Sequence, residues 1–253
     1  MSTGWDDLER ELDAWQAAGR AATLWWRDDD GRAATPALDS LLAMARGSGT
    51  PLALAVIPAG AGASLAERLA GEPLVAIVQH GFDHADHARP GDKKIELAPH
   101  RPLDGMRGAL ADGRERLQAL FGGRALAVLV PPWNRVADAV VDALPAIGFT
   151  GLSAFGPRAK AIAAPGVRAA NAHVDIIDWR GGRGFVGESD ALAQAVRHLR
   201  ARRTGQADGD EPTGLMTHHL DHDAECWDFI EAFVARTSAH AAARWLSAEA
   251  IFD

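Results

Sequence analysis

Short apolar runs alternate with amphipathic stretches along most of the chain. The apolar runs predict strands, and apolar residues repeating at intervals of three and four predict helices. Strands are predicted at residues 22–27, 52–57, 74–79, 125–130, 150–153, 173–178, 214–217 and 243–246. Helices are predicted at residues 5–17, 36–47, 103–121, 136–146, 189–203 and 224–237, with a further short helix near residue 64. Strands alternating with helices favour a parallel sheet, and roughly seven or eight of them favour a closed (β/α) barrel.

Two helix starts carry capping signals. Thr35 followed by Pro36 predicts an N-cap with proline at the first helical position. Ser64 and Glu67 have the spacing of a capping box. No composition shift marks a linker, so we predict a single domain spanning residues 1–253, with the helix 5–17 packed outside the barrel.

Composition narrows the class of protein. The net charge of −8 leaves no basic face, which disfavours nucleic acid as a partner. No stretch reaches the ~20 apolar residues of a membrane-spanning helix, and the acidic N-terminus does not read as a secretory signal. The single cysteine, Cys226, fits a reducing compartment. The sequence therefore predicts a soluble cytoplasmic protein that does not bind membranes, and it leaves the oligomeric state open.

Four groups of chemically active side chains follow directly after predicted strands. These groups are Asp28-Asp29-Asp30, His80 with His84, Asp178-Trp179 and His218-His219. In a (β/α) barrel the carboxyl ends of all strands meet at one rim, where active sites are built. The sequence therefore predicts one active site assembled from distant segments.

The donor types at this rim suit a metal ion. Two neutral imidazoles and one carboxylate form a common ligand set for catalytic zinc. His80 and His84 are the first candidates, with His87 and Asp83 in reserve. A solvated loop whose histidines cap backbone carbonyls is the alternative for the pair by itself. Once the chain bends at Gly31, any two of the three aspartates can face the rim, so geometry leaves their roles open.

Other residues have a structural and a functional interpretation of similar weight. Either His218 or His219 could be a general acid, the other being a surface residue. Trp133 could form a pocket wall or belong to the core, and Asp178 could be an ion-pair partner or a strand end. The long loop 88–102, which contains Glu96, is predicted to be solvated surface.

In their order along the chain, these groups resemble the motifs of the polysaccharide deacetylases (the NodB-homology family). That family has a distorted (β/α) barrel and removes acyl groups from N-acetylated sugars, usually with a divalent metal. The matching segments are Asp29-Asp30-Gly31, His80 to His84, Val130-Pro131-Pro132-Trp133, Asp175 to Trp179, and Met216-Thr217-His218. The resemblance implies an α/β fold, a distorted barrel of about seven parallel strands.

The resemblance also implies roles. Asp30, His80 and His84 would bind the metal, expected to be Zn²⁺. Asp29 would be the catalytic base and His218 the acid that protonates the departing amine. The implied substrate is a small-molecule or carbohydrate N-acyl compound, most simply an N-acetyl sugar, with Trp133 beside it.

The sequence departs from the family at several points. Val130 replaces an arginine that tunes the base, and Arg135 is expected to take its place, with Asp178 helping to hold Asp29. Gly81 and Ala85 also depart from the family pattern. Together with the cytoplasmic prediction, these differences favour a small sugar-like substrate over a polysaccharide. Two alternatives stay open: hydrolysis of other C–N bonds in small metabolites, and a non-catalytic carbohydrate-binding or metal-binding protein.

Overall fold

The apolar runs form one sheet in which most strands are parallel to their neighbours. The structure is a computed structural model that describes residues 2–253. The strands are β1 (Ala22–Gly31), β2 (Leu52–Val56), β3 (Val75–His80), β4 (Ala125–Val130), β5 (Gly151–Leu152), β6 (Ile162–Ala164), β7 (Val167–Ala169), β8 (Val174–Asp175), β9 (Thr213–Thr217) and β10 (Ala243–Trp245). Their order is β6-β7-β5-β4-β3-β2-β1-β9-β8, and β10 pairs with β1.

The predicted distorted (β/α) barrel is confirmed, but the barrel is open. The strand order ends at β6 on one side and at β8 on the other, and within residues 2–253 these two strands are not paired. The antiparallel pair β6–β7 was not predicted. The strand predicted at 173–178 is reduced to β8, because the Asp175 side chain accepts the Ile177 N–H (3.1 Å) and turns the chain.

Eight helices cover the sheet within the described residues, and most lie where the sequence predicts them. They are α1 (Trp5–Ala17), α2 (Pro36–Ser48), α3 (Ala63–Leu69), α4 (Leu103–Phe121), α5 (Asp138–Ala143), α6 (Glu188–Arg203), α7 (Ala224–Ala239) and α8 (Ala248–Phe252). The Thr35 cap is confirmed, because its hydroxyl accepts the Leu38 N–H at 3.1 Å. The Ser64 capping box is wrong, because α3 begins two residues earlier than that cap requires, with Gly62 as its N-cap. The terminal helix α8 was not predicted.

Strand β1 shows how the alternation of side chains supplies both the core and the site. Trp26 packs with apolar residues of α1, α2, α6 and α7 on one face of the sheet. Trp25 points to the opposite face and packs with β2, β3, β4 and the terminal helix. This alternation continues into the charged residues. The Asp28 side chain lies on the same face of the sheet as Trp26, whereas Arg27 and Asp29 lie on the face of Trp25. The carboxylates of Asp28 and Asp29 therefore lie on opposite faces of the sheet.

Candidate metal centre and active site

The three consecutive aspartates lie in the last residues of β1, and they diverge because side chains alternate along the strand and its pairing with β2 shifts register between Asp28 and Gly31. Asp28 is fully buried, and one of its oxygens accepts hydrogen bonds from the Thr217 hydroxyl (2.7 Å) and the His219 N–H (3.0 Å). Its other oxygen contacts His219 Nδ1. Burial by itself would raise the pKa of Asp28, but the charge and hydrogen bond of His219, together with His222 and the Thr217 hydroxyl, outweigh it and lower the pKa. Both oxygens are thus engaged by the end of β9, which favours Asp29 and Asp30 as the pair facing the rim.

Asp30, the next-to-last residue of β1, turns toward the rim. Its φ of 68° is in the left-handed region, and the pairing of β1 with β2 shifts register between Asp28 and Gly31. Its Oδ1 atom lies 3.3 Å from His80 Nε2 and 3.3 Å from His84 Nε2. We call Asp30, His80 and His84 the rim cluster.

The hydrogen bond of the His80 ring determines what the rim cluster can bind. His80 Nδ1 lies 3.0 Å from the Val130 carbonyl oxygen. A carbonyl only accepts, so Nδ1 carries the hydrogen and the neutral ring has its lone pair on Nε2. That lone pair faces Asp30 Oδ1, which is buried and accepts no hydrogen bond. Two lone pairs facing each other need a positive charge between them, either a proton on the imidazole or a metal ion, and two imidazole nitrogens converging on one carboxylate oxygen fit a divalent metal ion.

The electrostatics keep two of these groups in ligand form. Burial and the neighbouring His80 lower the pKa of His84 to about 4, so its ring is neutral near pH 7. Burial opposes ionisation of Asp30, but His80, His218 and His84 together hold its pKa well below the usual range. A neutral imidazole and an ionised carboxylate are the forms that bind metal.

Glu96 holds the loop that carries His84. The prediction that it lies on a solvated surface is wrong, since it is buried. Its carboxylate accepts the backbone N–H groups of Phe82 (2.7 Å) and His84 (2.9 Å). Gly81 has a φ of +55°, and a Cβ atom there would lie 2.6 Å from Pro132 Cγ as well as against Glu96. Glycine is the residue that this conformation and this close contact allow, which accounts for the departure from the family pattern at position 81.

Asp29 is held by Arg27 and not by Arg135. Arg27 Nε lies 2.9 Å from Asp29 Oδ1, and its Nη2 atom donates to Oδ2 at 2.9 Å. The guanidinium of Arg135 instead donates to the Lys94 carbonyl, and Asp178 accepts the N–H groups of Gly181 (2.8 Å) and Arg180 (3.1 Å) in a local turn. The structure thus does not bring Arg135 or Asp178 to Asp29. Sequence reasoning missed Arg27, although a charge inside an apolar strand two residues before Asp29 was a signal for it.

His218 and His219 have different partners. His219 is turned inward to Asp28, whereas His218 Nε2 lies 4.0 Å from Asp29 Oδ2. His218 also packs edge-on against Trp179, with ring centroids 4.7 Å apart. The Trp179 indole N–H donates to Asp175 Oδ2 at 2.8 Å. Of the two histidines, His218 is the one whose ring faces Asp29.

Two tryptophans flank the rim cluster and the Asp29–His218 pair. Trp133 has a φ of 54°, and its ring centroid lies 4.3 Å from that of His84. Trp179 stands on the His218 side and is 41% exposed. Trp133 was predicted as a pocket wall, whereas Trp179 was not singled out for this role. Trp133 is half-buried and Trp179 exposed, and aromatic rings on both sides suit a ligand with an apolar surface.

A second group of similar composition lies elsewhere in the fold. We call His173, His198 and Glu211 the buried cluster, and all three residues are buried. The Gly214 N–H donates to His173 Nδ1 at 3.0 Å. This nitrogen is therefore the acceptor, and the hydrogen of the neutral ring is on Nε2, 3.4 Å from Glu211 Oε2. The lone pair of His173 is thus already used by the backbone and points away from Glu211, which makes this group a poorer metal site than the rim cluster, although its donor atoms lie close together.

Comparison with known proteins identifies the fold. No family model and no curated protein sequence matches the chain. Similar solved structures include a protein of Mycobacterium smegmatis assigned as a polysaccharide deacetylase, with a TM-score of 0.61, 14% identity, and coverage of 90% of this chain and 88% of that one. A peptidoglycan N-acetylglucosamine deacetylase matches with a TM-score of 0.55 and 15% identity over 94% of this chain and 95% of the other. A family 4 acetyl xylan esterase of Clostridium thermocellum, solved with a cobalt ion, matches with a TM-score of 0.53 and 12% identity over 91% and 90%.

The chain therefore has the fold of the polysaccharide deacetylases and family 4 carbohydrate esterases, as the resemblance in its sequence predicted. Within residues 2–253 no helix combines the length and apolar character needed to cross a membrane.

Proposed function

We propose that this chain, which folds as a polysaccharide deacetylase, is a metal-dependent hydrolase that removes an N-acyl group, most simply N-acetyl, from a sugar-like substrate. The observation that carries the proposal is the convergence of His80 Nε2 and His84 Nε2 on the unpartnered Asp30 Oδ1, each at 3.3 Å. Beside this rim cluster lies a carboxylate–imidazole pair, Asp29 and His218, with 4.0 Å between its nearest atoms.

Asp30, His80 and His84 would hold the metal, with Zn²⁺ as the proposed ion. A divalent ion there supplies Lewis acidity toward the acyl carbonyl and the attacking water. Asp29 accepts the proton of that water, and His218 gives a proton to the amine nitrogen as the C–N bond breaks. The products are a carboxylate and a free amine.

The flanking tryptophans support a sugar-like substrate. Trp133 and Trp179 offer aromatic faces on the His84 and His218 sides, where a pyranose ring could stack. The names of the deacetylase and the esterase of similar fold indicate acetylated carbohydrates as their substrates, which supports the same substrate class here.

The test is a metal assay followed by a substrate panel. We expect about one divalent ion per chain and release of acetate from N-acetyl sugars in the loaded protein. Asp29→Asn should lower kcat by about 10²–10⁴-fold while retaining the metal. Asp83 is an exposed neighbour of His84, and Asp83→Asn is the matched control, which should keep both kcat and metal content.

Two outcomes would contradict the proposal. Turnover of cyclic ureides or formamides, with none of the N-acetyl sugars, would favour the hydrolysis of other C–N bonds. Sugar binding without turnover, at an affinity that Asp29→Asn leaves unchanged, would favour a non-catalytic binding protein.

A further inference from the structure

Arg27 is a fully buried cation in the middle of the apolar strand β1. Residues two apart on a strand share a face, which brings its guanidinium beside the Asp29 carboxylate. Nε and Nη2 lie 2.9 Å from the two oxygens of Asp29. Among residues 2–253, Asp29 is the one carboxylate that forms an ion pair with Arg27, so the pair supplies the counter-charge that burial demands.

The guanidinium is itself anchored by three other segments, one of which places Met216 Sδ 2.9 Å from Nη2. Nη1 donates to the Ser153 hydroxyl at 2.7 Å and to the carbonyls of Ser153 (3.2 Å) and Ala154 (3.0 Å). Nη2 also donates to Asn134 Oδ1 at 2.8 Å. A planar group with this many partners has one orientation, so Asp29 is held by a rigid support.

This support also determines the distance between Asp29 and His218. Asp29 Oδ2 is 4.0 Å from His218 Nε2, which is beyond hydrogen-bond distance. A small side-chain rotation would bring a free carboxylate to about 2.8 Å from the imidazole. Such a contact would join the proposed base and the proposed acid to each other, and both would be lost to the substrate.

We propose that Arg27 is a positioning residue that holds Asp29 away from His218 and so keeps the base and the acid separate. This inference rests on the proposed function for the roles of Asp29 and His218. The support of Asp29 comes from the same strand as the base, whereas the side chain of Val130, on β4, packs in an apolar cluster and offers no charge to Asp29.

The experiment is a crystal structure and a kinetic analysis of metal-loaded Arg27→Met. We expect the distance from Asp29 to His218 Nε2 to close to about 2.8 Å. We expect kcat to fall by about 100-fold while KM stays within about threefold and the metal content is unchanged. Arg27→Lys should recover part of kcat, since it restores the charge without the two-pronged geometry.

Controls separate positioning from stability. Arg202 is another buried arginine, on α6, and bonds to Thr23 and Thr213. Arg202→Met should lower the Tm and leave kcat intact. If Arg27→Met does not fold, Ser153→Ala removes one anchor of the guanidinium and should lower kcat by about three- to tenfold.

Asp29 remaining in place in Arg27→Met, or equal losses of kcat in the Arg27 and Arg202 variants, would overturn the inference. A wild-type protein without N-acyl hydrolase activity would instead overturn the proposed function. The change in the Asp29–His218 distance would still decide the role of Arg27 in that case.

Discussion

The rim cluster and the buried cluster contain the same donors, two histidines and one carboxylate, but they differ in where the lone pairs point. In the rim cluster, His80 Nδ1 lies against a carbonyl and Nε2 is free to bind. In the buried cluster, His173 Nδ1 accepts a backbone N–H and Nε2 carries the hydrogen. The identity of the atom opposite Nδ1 therefore decides which histidine can be a ligand.

The carboxylates differ in the same way. Asp30 Oδ1 accepts no hydrogen bond, whereas Glu211 accepts the N–H groups of Arg158 (2.9 Å) and Asn171 (3.0 Å). The histidine rings also differ, since those of the buried cluster are stacked 3.3 Å apart at 12° and those of the rim cluster are 5.1 Å apart at 42°. In the buried cluster, backbone N–H groups already occupy the Glu211 carboxylate and His173 Nδ1, whereas in the rim cluster Asp30 Oδ1 has no hydrogen-bond donor and faces two imidazole nitrogens.

The largest expected effect separates the clusters by metal content. Asp30→Ala should lose the bound ion and lower kcat/KM by more than about 10³-fold, because the cation loses its charged ligand. Glu211→Ala should retain a full equivalent of metal and lose about 3–5 kcal/mol of stability, because it leaves buried donors without an acceptor. Elemental analysis and urea unfolding give the two readouts. Metal loss in the Glu211 variant would mean that the buried cluster binds an ion.

An intermediate effect is expected at the support of the rim cluster. Glu96→Gln keeps the shape of the side chain but weakens its hold on the N–H groups of Phe82 and His84. Metal affinity should fall by about 10–100-fold, measured by competition with a chelator. Asp86→Asn, which alters an acceptor of the Ala88 N–H in the neighbouring exposed loop, is the control. An affinity equal to that of the wild type would show that Glu96 does not position His84.

The smallest effect concerns the response of the buried cluster to pH. Burial, with repulsion from His173 and Arg202, lowers the pKa of His198 to about 2. The unfolded chain has a histidine pKa of about 6.5, so it binds more protons below that pH. Stability should be complete above about pH 6.5 and decline by up to about 1.4 kcal/mol per pH unit as the pH falls.

Urea unfolding at about pH 7, 6 and 5 measures this slope. His198→Gln should flatten it, and His100→Gln, at an exposed position, should not. An unchanged slope in the His198 variant would show that this ring does not titrate on unfolding.

Much of the fold could be predicted because its signals are local. The apolar runs located β2 to β4 and β9 to within one residue at each end, and Thr35-Pro36 marked the start of α2. The start of β1 was also located, but the strand runs four residues beyond its predicted end, through the three aspartates to Gly31. The β6–β7 pair escaped prediction because these three-residue strands carry no periodic signal. The closure of the barrel was predicted wrongly, since pairing between the first and last strands of the order is a long-range property.

In the candidate site, the sequence predicted the side chains that could bind a metal, but not the residues that hold them in place. The rim cluster is the set that the sequence proposed, and the structure brings it together. Arg27, Glu96 and the bond between Asp28 and His219 were missed, because each depends on a partner that the chain supplies only after folding.

The sequence by itself determined that carboxylates and imidazoles lie at the carboxyl ends of buried parallel strands, because hydrophobic periodicity and adjacency are properties of neighbouring residues. Only the tertiary structure decided which aspartate faces the rim, which arginine supports Asp29 and which histidine nitrogen is free. Those choices depend on contacts between distant segments, such as His80 with Val130 and Arg27 with Ser153. The chemistry of a donor is local, but the direction of its lone pair is set by the fold.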